Sequence, residues 1–328
     1  MEFGGVALAP VDGLADDTAS TGDHPRLGRL IHEASVRGRE GTTVLGLVFP
    51  CDGLALRAAA AIENGAIARP VLIGPRAAIL AAADTAGIDC SSLELIDSGP
   101  VARDAALLAV KLVRDNALNA LMKGSLHTDE LMSAVVERHS GLRTDTRISH
   151  AFVFDLPRYH KLLMVADCVV NIAPDLKTKA AILGNAVRLA HCLGLMSPRV
   201  AILAAVEILN HAIQATVDAR ALVELAKAGA WAGAIVDGPL GFDNAISAEA
   251  ARIKGITSEV AGEPDLMVVP DLNSGNMLYK SFVYIGGGDC AGVVLGARVP
   301  IVLTSRADSE LSRIASVALA ALAAQPAS

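Results

Sequence analysis

Four times before Gly141 the chain repeats one pattern, an apolar run of strand length followed by a helical period, which in three of the four closes near a glycine. TTVLGLVF leads through PCDG into an Ala-rich stretch, PVLIG into RAAILAAADTAG, SLELIDSG into ARDAALLAVKLVRDNA, and ALMKGS into HTDELMSAVVERHSG. Such alternation needs parallel strands joined by crossover helices, so it commits the chain to an α/β fold with helices on both faces of a largely parallel sheet. Around Gly141 the alternation breaks, because SHAFVFD and HKLLMVADCVV follow each other across a short Pro-containing link, as two paired strands do. Beyond them LKTKAAILGNAVRLAHCLG, VDARALVELAKAG, NAISAEAARIKG and MLYKSFVYI read as helices, interleaved with the strands RVAILAAV, GAIVDG and DLMVVP. AGVVLGA, PIVLTSR and an Ala-rich helix over 309–324 follow. A chain of 328 residues is more than one core tends to serve, so two domains are expected, with a boundary near 141. Residues 1–24 show no period and read as a loose arm, to which we assign no function.

Composition removes several classes of function. Aromatic residues are 3% of the chain, too few for a stacking platform, and the 28 basic residues are scattered in a chain of net charge −7. Neither nucleic acid nor an anionic membrane has an electrostatic footprint to meet, and an anionic ligand must be held by a local pocket. The cysteines, Cys51, Cys90, Cys168, Cys192 and Cys290, are odd in number and form no C-x-x-C pair, which favours reduced thiols. The start MEFGGVALAPVDG has no basic segment ahead of an apolar one, and no run reaches the roughly 18 apolar residues that spanning requires. A cytosolic protein is expected.

In open α/β sheets ligands bind beyond the carboxyl ends of strands, which singles out five turn segments: PCDG at 50–53, KGSLHT at 123–128, DGPLGFDNA at 237–245, PDLNSGNMLYK at 270–280 and TSRADS at 304–309. In the last, a hydroxyl beside a guanidinium, Ser305 and Arg306, can grip an oxyanion; the plainer alternative is that Asp308 or Ser309 caps the final helix and Arg306 lies in solvent. In KGSLHT, Lys123 stands beside the turn glycine Gly124, and Thr128 is set to cap a helix opening with Asp129 and Glu130. Those two acids weigh against an anion at that helix end. Asp237, Gly238, Pro239 and Asn244 can shape a turn lining a cleft, as can Asp271 and Asn276, with Lys280 one helical turn after Asn276 or else on the solvated face. A Walker A string and a G-x-S-x-G elbow are absent, and GGG at 286–288 lacks the helix expected of a dinucleotide fingerprint. His127, His150 and His160 share no metal-ligand spacing, so no metal site is assigned.

Taken in order, LMKGSLHT, GLRTDTRISHAFVF, NIAPDLKTKAAILGNAV, IVDGPLGFDNAISAEAARIKGI, VAGEPDLMVVPDLNSGNMLYKS and GARVPIVLTSRADS resemble the phosphate acetyltransferase and phosphate butyryltransferase family from about residue 40 onward. The resemblance implies two α/β/α domains with a cleft between them, of the isocitrate/isopropylmalate dehydrogenase type. The first would comprise 25–140 with 297–328, the second 141–296, and the assembly would be a homodimer. It implies reversible transfer of a short acyl group between coenzyme A and inorganic phosphate, by direct attack in a ternary complex, with both as substrates and no cofactor. Ser305 and Arg306 would act on the reacting centre. Arg143 or Arg147 would be a second phosphate-side arginine, and Ser149 belongs to the same matched string. Coenzyme A would lie near 270–280. Acetyl-type members carry an aspartate base seven residues after the serine, where this chain has Ser312. Two other readings stay open: an NAD(P)-dependent decarboxylating dehydrogenase with a metal held by Asp237, Asp265 and Asp271, and a non-catalytic protein that binds coenzyme A or acyl phosphate.

Overall fold

The computed structural model describes residues 23–40, 43–305 and 308–324. The chain runs α1 (Pro25–Glu40), β1 (Val44–Val48), α2 (Gly53–Asn64), β2 (Arg69–Gly74), α3 (Arg76–Ala86), β3 (Glu94–Asp97), α4 (Ala102–Arg114), β4 (Ala120–Lys123) and α5 (Thr128–Val136). Then come β5 (Ser149–Asp155), β6 (Leu163–Ala166), α6 (Leu176–Cys192), β7 (Arg199–Leu203), α7 (Gln214–Lys227), β8 (Ile235–Leu240), α8 (Phe242–Ile246), α9 (Ala248–Ile253), β9 (Leu266–Val268), α10 (Leu272–Tyr284), β10 (Asp289–Leu295), β11 (Ile301–Val302) and α11 (Glu310–Ala323).

Among the described residues eleven strands form one sheet, in the order β3-β2-β1-β4-β11-β10-β5-β6-β9-β7-β8. Pairing is parallel except around β5 and β10: β5 runs antiparallel to β6 and to β10, and β10 antiparallel to β11. Strands buried on both faces carry continuous apolar runs, as VLGLV of β1 and LMVA of β6 do. The late strand β11 pairs parallel with β4, so residues beyond 300 return beside the first half of the chain. One face of the sheet has a core continuous through both halves, with Leu56, Met122, Val153, Leu183, Leu222 and Leu319 among its members. The other face has two separate cores, one around Val110, Leu121 and Val135, the other around Phe154, Leu203 and Met267. A cavity of about 860 Å³ opens between α5 and the 170–178 segment.

The structure departs from the sequence reading in four places. The sequence reading places no element at α1, whose Leu27, Leu30 and Ala34 recur at helical spacing and are buried. Of the residues read as a loose arm, 1–22 lie outside the described residues, and His24 is buried. NAISAEAARIKG is two short helices, because Ser247 ends α8 and its hydroxyl accepts the Ala250 N–H at 3.2 Å to cap α9. Thr128 is the first residue of α5 and His127 takes the cap position, with Glu130 accepting the His127 N–H at 2.8 Å. Among the described residues no helix is long and apolar enough to cross a membrane.

Candidate active site

Three of the five turn segments meet at the carboxyl ends of β1, β4 and β11. Asp52 of PCDG caps α2 by accepting the Ala55 N–H at 2.8 Å, and its other oxygen accepts the Ser125 hydroxyl at 2.6 Å. The Ser125 oxygen in turn accepts the Cys51 N–H at 3.0 Å, which locks the β1 and β4 loops together. Burial pushes the Asp52 carboxyl upward, but the hydrogen bonds from Ser125 and the first turn of α2 outweigh it and hold the group below its ordinary value. Lys123 ends β4, and its ammonium lies 3.2 Å from the Gly124 carbonyl and 3.4 Å from that of Leu126.

Gly124 donates to the Val48 carbonyl at 2.8 Å, and a Cβ built on it would stand 2.6 Å from that oxygen and 2.7 Å from the Phe49 oxygen. Only glycine lets the two loops approach so closely. Gly124→Ala is therefore expected to destabilise the fold by about 1–3 kcal/mol, the usual cost of overpacking, and to lower turnover by parting Lys123 from β1. Thermal unfolding and turnover measured on the same preparation check this.

The third contribution is the loop after β11. The Ser305 N–H donates to the Asp308 carboxylate at 2.6 Å. Arg313, buried on α11, donates to the Ser305 carbonyl, to the Asp308 carbonyl at 3.3 Å and to the Thr304 hydroxyl at 3.5 Å. Burial raises the Asp308 carboxyl above its ordinary value, an effect that the Ser305 N–H and the Arg313 charge only partly offset. Ser309 caps α11, as one of the sequence alternatives had it. Ser312 is buried and donates to the Cys290 carbonyl at 2.5 Å, so its hydroxyl faces β10. Arg306 lies outside the described residues.

Around these loops the crevice divides into three cavities. One, of about 450 Å³, lies between Cys51, Leu54, Met122, Lys123 and Ser305. A second, of about 370 Å³, lies between Lys123, Ser125, Thr128, Val169 and Ser305. A third, of about 860 Å³, is walled by Met132 and Val136 on one side and Val170 and Asn171 on the other, with Arg143, Arg147 and Lys177 supplying positive charge against the carboxylates of Asp145 and Asp175. Arg147 donates from Nε to the Asn171 side chain at 3.2 Å, and its carbonyl accepts from Asn185 at 2.8 Å. Gly296, at φ +84°, brings the end of β10 against that carbonyl, where a Cβ would stand 2.3 Å away.

The structure thus brings Lys123, Gly124, Thr128 and Ser305 into one crevice, with Arg143 and Arg147 both in the adjoining cavity. Eight other sequence candidates stand outside these three cavities. Ser149 is buried and its hydroxyl oxygen accepts from Asn185 at 2.7 Å. Asp237 accepts the Gly238 N–H at 2.8 Å, ahead of Pro239, and Asn244 is buried with its amide 3.3 Å from Glu207. Asp271 caps α10 by accepting the Ser274 N–H at 2.9 Å, Asn276 reaches the Cys168 carbonyl at 3.4 Å, and Lys280 is exposed. The three aspartates of the dehydrogenase reading are committed to separate partners: Asp237 to Gly238, Asp271 to Ser274, and Asp265 to Lys161 at 2.6 Å and the Arg199 N–H at 2.8 Å. Cys51, Ser125 and Asp308 lie within the turn segments that the sequence singles out, Asp308 as a capping alternative, whereas Arg313 lies outside them. The available signal for Arg313 is that it and Glu310 are the only charges in the otherwise apolar α11.

Fold and site together define an α/β enzyme whose crevice joins a serine, a lysine and an arginine-lined cavity at the carboxyl ends of its strands. A family profile described as phosphate acetyl/butaryl transferase matches residues 99–321. The chain is 48% identical over 283 residues to a phosphate acetyltransferase of Rhizobium meliloti, covering 86% of this chain and 89% of that one. It is 39% identical over 262 residues to a phosphate butyryltransferase of Clostridium acetobutylicum, covering 80% and 86%. The crystal structure of a branched-chain phosphotransacylase from Enterococcus faecalis V583 superimposes with a TM-score of 0.75 at 28% identity, covering 86% of this chain and 99% of that one. The chain belongs to the phosphate acetyl/butyryl transferase family, as the ordered motifs implied.

Proposed function

We infer that this protein is a phosphate acyltransferase that moves an acetyl or butyryl group between coenzyme A and inorganic phosphate. The observation that carries the reading, beside family membership, is the convergence of Lys123, Ser125 and Ser305 on one crevice beside an arginine-lined cavity. A phosphate oxygen attacks the thioester carbonyl, the carbon–sulfur bond breaks, and the departing thiolate takes up a proton. Charge gathers on the carbonyl oxygen in between, and fixed donors stabilise it best. We assign that task to Ser305 and Arg306, the latter on sequence resemblance. Lys123, Gly124 and Thr128 form the wall facing them, and Arg143 and Arg147 draw phosphate groups into the adjoining cavity.

Asp308 stands at the Ser305 amide with its carboxyl raised by burial, and we assign it the proton exchanged with the coenzyme A thiol, in place of a carboxylate at Ser312. Coenzyme A is assigned to the side of α10, with Asp271, Asn276 and Lys280 and the turn of Asp237, Gly238, Pro239 and Asn244. Asn276 contacts Cys168, next to the Val169 that borders the Ser305 cavity, which supports this side. Ser149 supports the crevice from β5 through its bond with Asn185. The two lobes are drawn as 25–140 with 297–328 and as 141–296, supported by the return of β11 to β4. A homodimer and a cytosolic site complete the proposal.

The experiment is coenzyme A release from acetyl-, propionyl- and butyryl-CoA. Release that depends on added phosphate is the expected result. No release from any of the three overturns the assignment.

A further inference from the structure

The family reading leaves the acyl chain unplaced, and the two smaller cavities differ in what they can hold. Both are bordered by Lys123, Ser125, Thr304 and Ser305, so a group bound at the Ser305 hydroxyl can extend into either. The cavity beside α2 begins at a helix N-terminus, the usual seat for an anion, but that seat is already filled. The Asp52 carboxylate occupies it, bonded to the Ala55 N–H and the Ser125 hydroxyl, and is held in its charged form. A phosphate there would meet a like charge at close range. Two cations also line that wall: Arg313 is turned to the Ser305 and Asp308 carbonyls, and the Lys123 ammonium lies 3.2 Å from the Gly124 carbonyl and 3.4 Å from that of Leu126.

Away from these groups and from Thr304 and Ser305 at its mouth, the cavity is bordered by Cys51, Leu54, Ala55 and Met122. Ala55 and Met122 are 4% and 0% exposed, and the Cys51 thiol stays neutral, pushed up to about 11 by burial and by the Asp52 charge. Leu54, in the first turn of α2, also lines this cavity and is 39% exposed. At about 450 Å³ the space falls within the roughly 300–1,000 Å³ range of small-molecule pockets.

We propose that the cavity formed by Cys51, Leu54, Ala55 and Met122 receives the acyl chain of the substrate, and that Leu54 sets the chain length admitted. The proposal rests on the transferase reading and gives it a substrate preference. A chain of four carbons finds apolar wall that an acetyl group leaves uncovered. Each buried methylene favours the longer substrate about fourfold, so butyryl-CoA gains about fifteenfold over acetyl-CoA from two.

The test compares kcat/KM for butyryl-CoA and acetyl-CoA in the wild type, Leu54→Phe and Leu54→Ala. Leu54 is partly exposed, so neither change removes core. Leu54→Phe is expected to lower the butyryl-to-acetyl ratio about tenfold by filling the space of one to two methylenes. Leu54→Ala is expected to shift the preference toward chains longer than butyryl, read with hexanoyl-CoA. Active variants whose ratios match the wild type overturn the acyl-pocket assignment and leave the transferase reading standing. A wild type that releases no coenzyme A from any acyl-CoA overturns both.

Discussion

Arg313→Met is expected to lower kcat about 100-fold, the cost of a reacting group displaced by about 1 Å, with a smaller change in KM. Arg313 is a positioning residue: it is buried, and its guanidinium holds the Ser305 and Asp308 carbonyls and the Thr304 hydroxyl from behind the loop. Methionine fills similar volume but leaves those acceptors unsatisfied, so the loop relaxes and Ser305 moves with it. A second readout separates this from general loosening. The Arg313 charge lowers the carboxyl values of both Asp52 and Asp308. Without it both rise, each carboxylate stays protonated to higher pH, and the acidic limb of the rate profile moves upward. Arg313→Lys keeps the charge but lacks the planar fork, so it should restore the position of the limb and only part of the rate. An unchanged kcat in the methionine variant would remove the clamp from the mechanism.

The largest effect on stability is expected at Lys179, within the NIAPDLKTKAAILGNAV motif. Its ammonium lies 2.6 Å from Asp218 on α7, and both side chains are 7% exposed. The second Asp218 oxygen accepts from Gln214 at 2.8 Å. Lys179→Met leaves a buried carboxylate without its partner, which costs about 3–5 kcal/mol, whereas replacing both members by apolar residues is often neutral. Urea unfolding should therefore show a large loss for Lys179→Met and recovery of most of it in Lys179→Met/Asp218→Leu. A double variant as unstable as the single one would mean that packing of α6, and not the unpaired charge, is the cause.

Local periodicity carried the element order because most strands are buried and most helices amphipathic. It could not carry strand order. β11 is two residues long, and its slot between β4 and β10 is set by contacts with residues distant in sequence. α1 keeps its apolar stripe of Leu27, Leu30 and Ala34 at helical spacing, but the stripe is narrow and most of the residues between are charged or polar.

At the site, glycine and hydroxyl residues after strands pointed to Lys123, Gly124 and Ser305, since turn chemistry at strand ends is local. Asp52 and Ser125 are joined across 73 positions, and Arg313 is buried only because a folded loop offers it carbonyls; neither fact exists before the chain closes. The cap at α5 shows the same limit on a smaller scale. Thr128 is the better capping residue by type, yet the turn after Leu126 gives the position to His127.

The narrow wedge of β11 has a consequence for synthesis. Until Ile301 and Val302 emerge from the ribosome, β4 and β10 each keep an unsatisfied backbone edge, the kind of surface on which neighbouring chains aggregate. The same segment delivers Ser305. On the role proposed above for Ser305, the one insertion that covers these edges also supplies a group the reaction needs, so an active chain is one whose β4 and β10 edges are closed.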